Sequence, residues 1–244
     1  MWSVHSCLAS PVRAAVLAVL PAILAFAPGA SAQPALTAAK RVSVVGSGEL
    51  NWDVAVRAGP REEARRVAVL RQFRRDYRTQ VVLALSQRTD PETGAPRWYR
   101  ISIPGRPNGR TGWIPARAAD IRPVRDLIQI DRSERTLELW SRGRLALKTK
   151  VAVGRTGMET PVGLFYITWK SVPRAPVLGK FAFETSAYSK LSEWPGGGIV
   201  GIHGTSEPHL LGQAVSHGCV RVSNSDILRL RTRVGLGTPV RIVA

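Results

Sequence analysis

Short apolar runs that alternate with polar residues and end at turn residues are the feature that most constrains the fold of this chain. Within residues 50–122 these runs are Val54–Arg57, Val67–Leu70, Val81–Leu85, Trp98–Ile103 and the stretch around Trp113. Alternation with a period of two predicts strands, whereas a helix repeats its apolar face every three to four residues. Turn residues such as those of Ala58-Gly59-Pro60 separate the runs. Five short strands within about seventy residues predict a small β-barrel.

The second half of the chain continues the strand-like pattern beyond Pro123. Alternating or apolar runs with turns between them lie at residues 127–131, 136–140, 145–153, 164–169, 199–202 and 239–243. The first three predict a meander with short turns. Capping residues at 223–226 precede a helical pattern over Ile227–Val234, and Gly235 is a natural stop. The fold prediction is therefore mainly β, with a small barrel followed by a β-rich domain that contains one or two short helices.

The N-terminal 32 residues have the layout of a secretory signal peptide. Arg13 precedes an apolar run over Ala14–Ala27, and Ala30-Ser31-Ala32 is a small-x-small cleavage site. The run falls short of the ~20 apolar residues that span a bilayer, although retention as an uncleaved anchor is the alternative. Residues 33–48 are interpreted as a linker. The sequence thus predicts an exported protein of the cell envelope, in the periplasm or the wall, with secretion or anchoring by the leader as variants.

The charge of the chain is strongly positive. Its 35 Lys and Arg residues exceed 17 Asp and Glu residues, which gives a formal net charge of +18. Residues 57–125 carry 16 of the basic and six of the acidic residues. Such a field favours polyanionic partners, and for an exported protein anionic wall polymers are expected rather than nucleic acid. A high arginine content that only reflects genomic base composition is the alternative.

Three of the four histidines and one of the two cysteines lie within residues 203–219. These are His203, His209, His217 and Cys219, and imidazole and thiolate are the groups that perform acid–base and nucleophilic chemistry near neutral pH. A cysteine attacks as the thiolate, and a neighbouring imidazole can take its proton. His217 and Cys219 would share a face if the backbone were extended. His203 follows its own strand and could approach from a neighbouring one.

Two other interpretations of this cluster remain open. The four side chains could ligate zinc, but their spacing matches none of the usual finger or ribbon patterns, so no metal site is predicted. Cleavage of the leader would remove Cys7 and leave Cys219 unpaired, and a buried, inert cysteine is the alternative to a working thiol. No glycine-rich phosphate loop follows a strand in this sequence, so nucleotide chemistry has no support.

Two stretches of the chain resemble known families. Residues 56–60, 98–101 and 109–114 are similar to a bacterial SH3-like (SH3b) domain, which the resemblance places at residues 49–122. More specifically, His203-Gly204-Thr205 followed by Ser216-His217-Gly218-Cys219-Val220-Arg221 resembles the active-site pattern of L,D-transpeptidases of the YkuD type. Gly154 and Thr160-Pro161-x-Gly163-x-Phe165 match the same domain, at residues 125–244.

The second resemblance implies a role for each matched position. Cys219 would be the nucleophile and His203 the general base, with the carbonyl of Gly204 orienting the imidazole. The amides of His217, Gly218 and Cys219 would form the oxyanion hole, and the His217 ring would be mainly structural. A further set would bind substrate, namely Arg221, Ser216 and Thr205.

The activity implied by this resemblance is peptidoglycan L,D-transpeptidation in cell wall biogenesis or remodelling. A tetrapeptide stem donates its acyl group to the cysteine, and the thioester passes to an amine of another stem to form a 3→3 cross-link. No cofactor is implied, and the thiol would be acylated by carbapenems. The alternatives are L,D-carboxypeptidase or cysteine endopeptidase activity on stem peptides, or a non-catalytic wall-binding protein.

Overall fold

The computed structural model describes residue 2, residues 42–193 and residues 197–244. The chain divides into two compact units, Met1–Ala32 and Gln33–Ala244, and everything described below lies in the second. The predicted signal peptide and most of the predicted linker lie outside the described residues. Within the described residues, no helix has the length and apolar character needed to cross a membrane. The structure is mainly β with a single α-helix in that part of the chain, as the alternating pattern predicted.

The N-terminal part of the second unit is a six-stranded antiparallel sheet. Its strands are β1 (Gly46–Glu49), β2 (Val54–Arg57), β3 (Arg66–Leu70), β4 (Val81–Thr89), β5 (Pro96–Ser102) and β6 (Thr111–Pro115). Their order across the sheet is β1-β4-β5-β6-β2-β3. Alternate residues such as Val54 and Val56 are buried on one face, together with Ile101 and Ile114 from β5 and β6. The assignment of this sheet to the SH3-like family stays a prediction.

Strand β1 corrects the predicted linker, because residues 46–48 belong to the sheet. Gly46-Ser-Gly-Glu has no apolar alternation, so the period-two pattern could not identify it. Both glycines are needed because another backbone segment passes very close to them. A Cβ at Gly46 would collide with the carbonyl of Arg122, and a Cβ at Gly48 would collide with the carbonyl of Asp120. Residues 46–49 pair with β4 instead of connecting two domains.

The C-terminal part contains an eight-stranded sheet and a two-stranded ribbon. The strands are β7 (Asp126–Asp131), β8 (Thr136–Ser141), β9 (Arg144–Lys150), β10 (Val153–Gly154), β11 (Gly163–Ser171), β12 (Ala182–Tyr188), β13 (Ile199–His203), β14 (Ala214–Ser216), β15 (Val220–Arg221) and β16 (Pro239–Val243). The large sheet has the order β15-β13-β12-β11-β16-β7-β8-β9, and β10 pairs with β14. The predicted meander is confirmed as β7–β8–β9. Two neighbouring pairs, β13–β15 and β16–β7, are parallel.

One α-helix, α1 (Asn224–Arg231), packs on this sheet through Ile227 and Leu230. Ser223 is its N-cap, and its hydroxyl accepts a hydrogen bond from the backbone N–H of Asp226. The predicted cap is confirmed at Ser223, whose hydroxyl satisfies one of the unpaired N–H donors of the first turn. The helix itself begins at Asn224, three residues before the predicted Ile227. The helix ends at Arg231, three residues before the predicted limit of Val234.

The two sheets pack directly against each other. Val81 and Leu83 of β4 form a small buried cluster with Tyr166 of β11. The Tyr166 hydroxyl donates a hydrogen bond of 3.0 Å to the carbonyl of Val81, so this buried polar group is satisfied. The N-terminal sheet is therefore joined to the C-terminal sheet through a shared apolar cluster.

Candidate active site

The end of β13 and the start of β15 bring the predicted site residues together. These neighbouring parallel strands place His203 opposite Arg221 and Ile202 opposite Val220. Cys219 immediately precedes β15. The thiol and the imidazole thus come from adjacent strands, as the sequence predicted for His203.

His203 is buried, with 4% of its surface exposed. Its Nδ1 lies 2.6 Å from the carbonyl oxygen of Gly204. A carbonyl can only accept a hydrogen bond, so this contact assigns the proton to Nδ1 and leaves the lone pair on Nε2. Burial lowers the pKa of His203 below its ordinary value; the Gly204 carbonyl acts in the opposite direction and the Arg221 charge adds to the lowering. The imidazole is therefore neutral at neutral pH and able to accept a proton.

Cys219 is the one cysteine within the described residues, and its side chain is partly buried. The N–H of Gly201 donates to its Sγ at 3.3 Å, and the Sγ lies 4.0 Å from the carbonyl of Ile199. Burial raises the pKa of the Cys219 thiol, opposed by the Gly201 N–H and by the Arg221 charge. The resting thiol is therefore neutral, and its proton must leave as the sulfur reacts.

Gly201 provides the space in which the sulfur and the imidazole meet. A Cβ built on Gly201 would lie 3.9 Å from the Cys219 Sγ and 3.9 Å from the His203 Cδ2. The two groups therefore flank one small volume on the same side of β13. A Cβ at residue 201 would make ordinary van der Waals contact with both groups and would approach the Phe183 carbonyl oxygen to 3.3 Å, so a larger side chain would extend into the space beside the thiol and the imidazole.

The turn before Cys219 departs from the predicted geometry. Residues 217–219 form a bend between β14 and β15, and Gly218 has φ +115°, in the range that favours glycine. The backbone at this point is therefore not extended, so the condition under which His217 and Cys219 would share a face is not met. A side chain at Gly218 would also approach Ser189 Cβ to 2.9 Å.

Two buried hydroxyls hold this turn. Ser216 Oγ donates to the Cys219 carbonyl at 2.5 Å and accepts from the Gly218 N–H at 3.1 Å. Thr160 Oγ1 donates to the Gly218 carbonyl and accepts from the Gly154 N–H, both at 2.9 Å. Gly154, on β10 beside β14, and Thr160, between β10 and β11, therefore act on the shape of the cysteine turn. Both belong to the stretch that resembled the middle of the YkuD domain.

Arg221 and Thr205 are tied to the loop that follows His203. Arg221 Nη1 forms an ion pair of 2.8 Å with Glu207, and 14% of its side chain is exposed. The Thr205 hydroxyl accepts from the Glu207 N–H at 3.0 Å, and Thr205 is buried. The Ser216 and Thr205 hydroxyls, predicted to bind substrate, thus bind the protein's own backbone here.

Asn224 is a site-bracing residue to which the sequence alone gave no role. Its Nδ2 donates to the Thr205 carbonyl and its Oδ1 accepts from the Lys180 N–H, both at 2.9 Å. It therefore fixes the turn whose Gly204 carbonyl orients His203. The signal available in the sequence was its place three residues after Arg221, where the resemblance to the YkuD active-site pattern continues as Val222-x-Asn224.

The two remaining histidines differ in position and burial. His209 is exposed in a short 3₁₀ turn, whereas His217 is partly buried in the bend. Across the described residues, no three His, Cys, Asp or Glu side chains are grouped closely enough to hold a metal ion.

Residues 125–242 match the model of the YkuD family, described as the L,D-transpeptidase catalytic domain. Among related sequences, "Putative L,D-transpeptidase YkuD" of Bacillus subtilis is 32% identical over 167 residues, or 68% of this chain and 88% of the relative. The protein of the same name from Bacillus licheniformis is 35% identical over 115 residues, 47% of this chain, and the match spans only 64% of that relative's length.

Solved structures give further matches. An L,D-transpeptidase from Mycobacterium smegmatis has a TM-score of 0.44 at 15% identity, covering 67% of this chain and 90% of that chain. An L,D-transpeptidase from Mycobacterium tuberculosis has a TM-score of 0.46 at 15% identity, covering 83% of this chain and 99% of that chain.

Proposed function

Because this chain belongs to the YkuD family of L,D-transpeptidases, we propose that it is a cysteine-dependent acyltransferase of peptidoglycan stem peptides. Its donor is a tetrapeptide stem and its acceptor is an amine of a second stem, so that the product is a 3→3 cross-link. The observation that carries this proposal is the buried pair of a neutral thiol and a neutral imidazole on adjacent strands, with Nδ1 of His203 held by the Gly204 carbonyl.

The reaction follows from the protonation states. His203 Nε2 takes the proton of the Cys219 thiol as the sulfur attacks the carbonyl carbon that precedes the terminal D-amino acid. A C–S bond forms, the C–N bond breaks, and the imidazolium returns the proton to the departing amine. An acceptor amine then attacks the thioester, His203 removes its extra proton, and the thiol is regenerated.

The surrounding groups stabilise charge during these steps. The Gly204 carbonyl supports the imidazolium, in the place that a carboxylate takes in many catalytic triads. Arg221 lowers the energy of the thiolate by its charge. The amides of residues 217–219 are the proposed oxyanion donors; that of Gly218 donates to Ser216 Oγ at rest, so it can serve only when this hydrogen bond opens. Ser216 and Thr205 support the reaction by holding the two turns.

Three alternatives differ from this proposal in the acceptor, in the bond that is cleaved or in the absence of any chemistry. Water in place of an amine gives L,D-carboxypeptidase activity from the same thioester, and cleavage inside the stem gives endopeptidase activity. A non-catalytic wall-binding protein would have no use for a general base held beside a thiol. The geometry therefore favours acyl transfer.

The proposal is tested by incubating the full chain with a disaccharide tetrapeptide and measuring product and protein masses. We expect loss of the terminal D-alanine, a transient adduct on the protein, and a cross-linked dimer. Cys219→Ala should abolish all three and His203→Ala should lower the rate by at least about 100-fold, whereas the exposed His209→Ala should match wild type. A monomeric tripeptide as the sole product would assign carboxypeptidase activity, and no reaction would overturn the proposal.

Three further parts of the proposal concern the setting of the enzyme. We propose that residues 1–32 direct export to the cell envelope, that the basic N-terminal sheet retains the protein on anionic wall polymers, and that carbapenems acylate Cys219. Retention of wild type on purified walls that falls when surface arginines of this sheet are neutralised would support the second part. A carbapenem adduct that is absent from Cys219→Ala would support the third.

A further inference from the structure

One row of residues crosses the C-terminal sheet and leads to the thiol. Trp169 on β11 lies opposite Glu184 on β12, and Glu184 lies opposite Gly201 on β13. Directly opposed residues of neighbouring strands project from the same face of a sheet. The side chains of Trp169 and Glu184 therefore share the face on which a Cβ at Gly201 would point at Cys219 Sγ.

A loop of the N-terminal sheet covers this row. Residues 71–80, which connect β3 to β4, are called the arginine loop below. Arg78 lies over the Trp169 ring at 4.2 Å from its centroid and pairs with Glu184 at 2.9 Å. Arg74 pairs with the second carboxylate oxygen of Glu184 at 3.1 Å. The loop is thus fixed to the catalytic face by a carboxylate held between two guanidinium groups.

Between the arginine loop and the catalytic sheet lies a cavity of about 810 Å³. It is lined on one side by loop residues that include Phe73, Arg75 and Tyr77, and on the other by Thr185 and Ile199. Ile199 shares the catalytic face with Gly201 and His203, since it is two and four residues before them on β13. Its carbonyl lies 4.0 Å from the Cys219 Sγ, so one lining residue of the cavity also contacts the reacting sulfur.

The rim of the cavity has exposed side chains suited to a peptide with carboxylates. Phe73 and Tyr77 are 53% and 90% exposed, although large aromatic side chains are usually mostly buried. Arg71 is held by Asp53 at 3.1 Å. Arg75 is exposed, and among the described residues no acidic side chain forms an ion pair with it. A carboxylate entering the cavity would supply the missing partner of Arg75.

We propose that this cavity is an extended subsite for the stem peptide, in which Arg75 binds a carboxylate remote from the scissile bond. This inference rests on the proposed function and assigns the N-terminal sheet a part in substrate recognition. The stem peptide is the occupant that the geometry favours, because Ile199 links the cavity lining to the sulfur that the peptide acylates, and the exposed Arg75 provides a positive charge for a carboxylate.

The experiment compares two forms of one tetrapeptide substrate. The carboxyl group remote from the scissile bond is free in one form and converted to an amide in the other. Release of D-alanine is measured for wild type, Arg75→Ala, Arg75→Gln and the control Arg65→Ala, which removes an exposed arginine of the same sheet outside the cavity. We expect wild type and Arg65→Ala to show a KM about fivefold lower for the free form, the size of one partly exposed charge pair, with equal kcat. Both Arg75 variants should lose this difference.

The outcomes separate the two proposals. If wild type turns over both forms with the same kcat/KM, or if the Arg75 variants keep the preference, the subsite is wrong while the transpeptidase proposal stands. If wild type releases no D-alanine from either form although iodoacetamide alkylates Cys219, the proposed function fails and the subsite with it. Equal alkylation rates of wild type and both Arg75 variants establish that the site itself is intact.

Discussion

At the scale of single residues, burial controls the chemistry of the Cys219–His203 pair. Transfer from water disfavours the charged form of each group, which raises the pKa of the thiol and lowers that of the imidazole. The pair is therefore a thiol and a general base at rest, and the ion pair exists only during reaction. The enzyme avoids a permanently charged, easily oxidised thiolate.

This protonation state predicts the pH dependence of alkylation. The rate of Cys219 modification by iodoacetamide follows the thiolate fraction, so it should rise through the alkaline range with a midpoint above the ordinary thiol pKa. The rate should be measured from pH 5 to 11 by mass spectrometry. A rate already at its plateau at neutral pH would contradict the neutral resting pair.

Arg221 should shift that profile in a defined direction. Its charge lowers the pKa of the Cys219 thiol and that of His203, so Arg221→Gln should raise both. At a fixed pH of 8 we expect slower alkylation, and the acid limb of kcat/KM, set by His203, should move to higher pH. Arg144→Gln, on the opposite edge strand β9, is the control, and an unchanged profile in Arg221→Gln would refute the charge effect.

The hydroxyl of Thr160 gives a matched pair of variants. Thr160→Val keeps the shape but leaves the buried Gly218 carbonyl and Gly154 N–H without their partner. A buried polar group without a partner costs about 1–3 kcal/mol, so urea denaturation should show a loss of that size, together with slower acylation. Thr160→Ser retains the hydroxyl and should behave nearly as wild type. Unchanged stability of Thr160→Val, or an equal loss in Thr160→Ser, would contradict this role of the hydroxyl.

The sequence predicted the chemistry-bearing residues better than their surroundings. Residue type and the strand that carries His203 indicated that Cys219 and His203 act together, and the resemblance implied the role of the Gly204 carbonyl. The structure places these three groups at one site. The bend at Gly218 and the inward bonds of Ser216 and Thr205 could not be predicted, since a local pattern does not report which backbone groups lie nearby in space. The hydrogen bonds of Asn224 to residues 180 and 205 could not be predicted for the same reason.

At the scale of elements, strand β12 shows where period-two patterns fail. Ala182–Tyr188 contains Glu184, Thr185 and Ser186, so no apolar alternation marks it. Two of these polar groups are nevertheless satisfied by distant partners: Glu184 by the arginine loop and Thr185 by the Val200 carbonyl at 2.6 Å. Strands whose polar residues are paired through tertiary contacts lack the signal that sequence patterns provide.

The loop between β5 and β6 makes a second contact between the N-terminal sheet and the C-terminal part of the chain, and we predict that this contact affects function. Arg106 donates to the carbonyls of Ser189, Leu191 and Gly197 at 2.8 to 2.9 Å. Arg106→Ala should therefore increase amide exchange of Ser189, whose N–H bonds to the Gly198 carbonyl, and should slow acylation because Ser189 borders Gly218. Arg97→Ala, on the exposed part of β5, is the control. Unchanged exchange at residues 188–191 would contradict this role.

At the scale of the whole molecule, the shared cluster of Val81, Leu83 and Tyr166 makes the two sheets one cooperative structure. The sequence predicted two consecutive domains, because motifs and turn residues mark a boundary near Pro123 but carry no information about packing across it. The described residues of the second unit instead share buried groups between the sheets. The stability of each sheet is therefore expected to depend on the other.

This coupling predicts a single unfolding transition. Tyr166→Phe removes the hydroxyl bond to the Val81 carbonyl and should cost about 1 kcal/mol. Hydrogen exchange in increasing urea should report the same lowered midpoint for peptides of both sheets. If only one sheet shifted, the two would be unfolding independently.

The position of β16 has a consequence for the timing of folding. This last strand lies between β11 and β7, so residues 126–150 cannot join the strands that carry the thiol until residue 243 has left the ribosome. Synthesis delivers the N-terminal segments first, and pairings between distant segments form slowly. The surroundings of the sulfur are therefore complete only once residues 239–243 have emerged and β16 has paired with both of its neighbours.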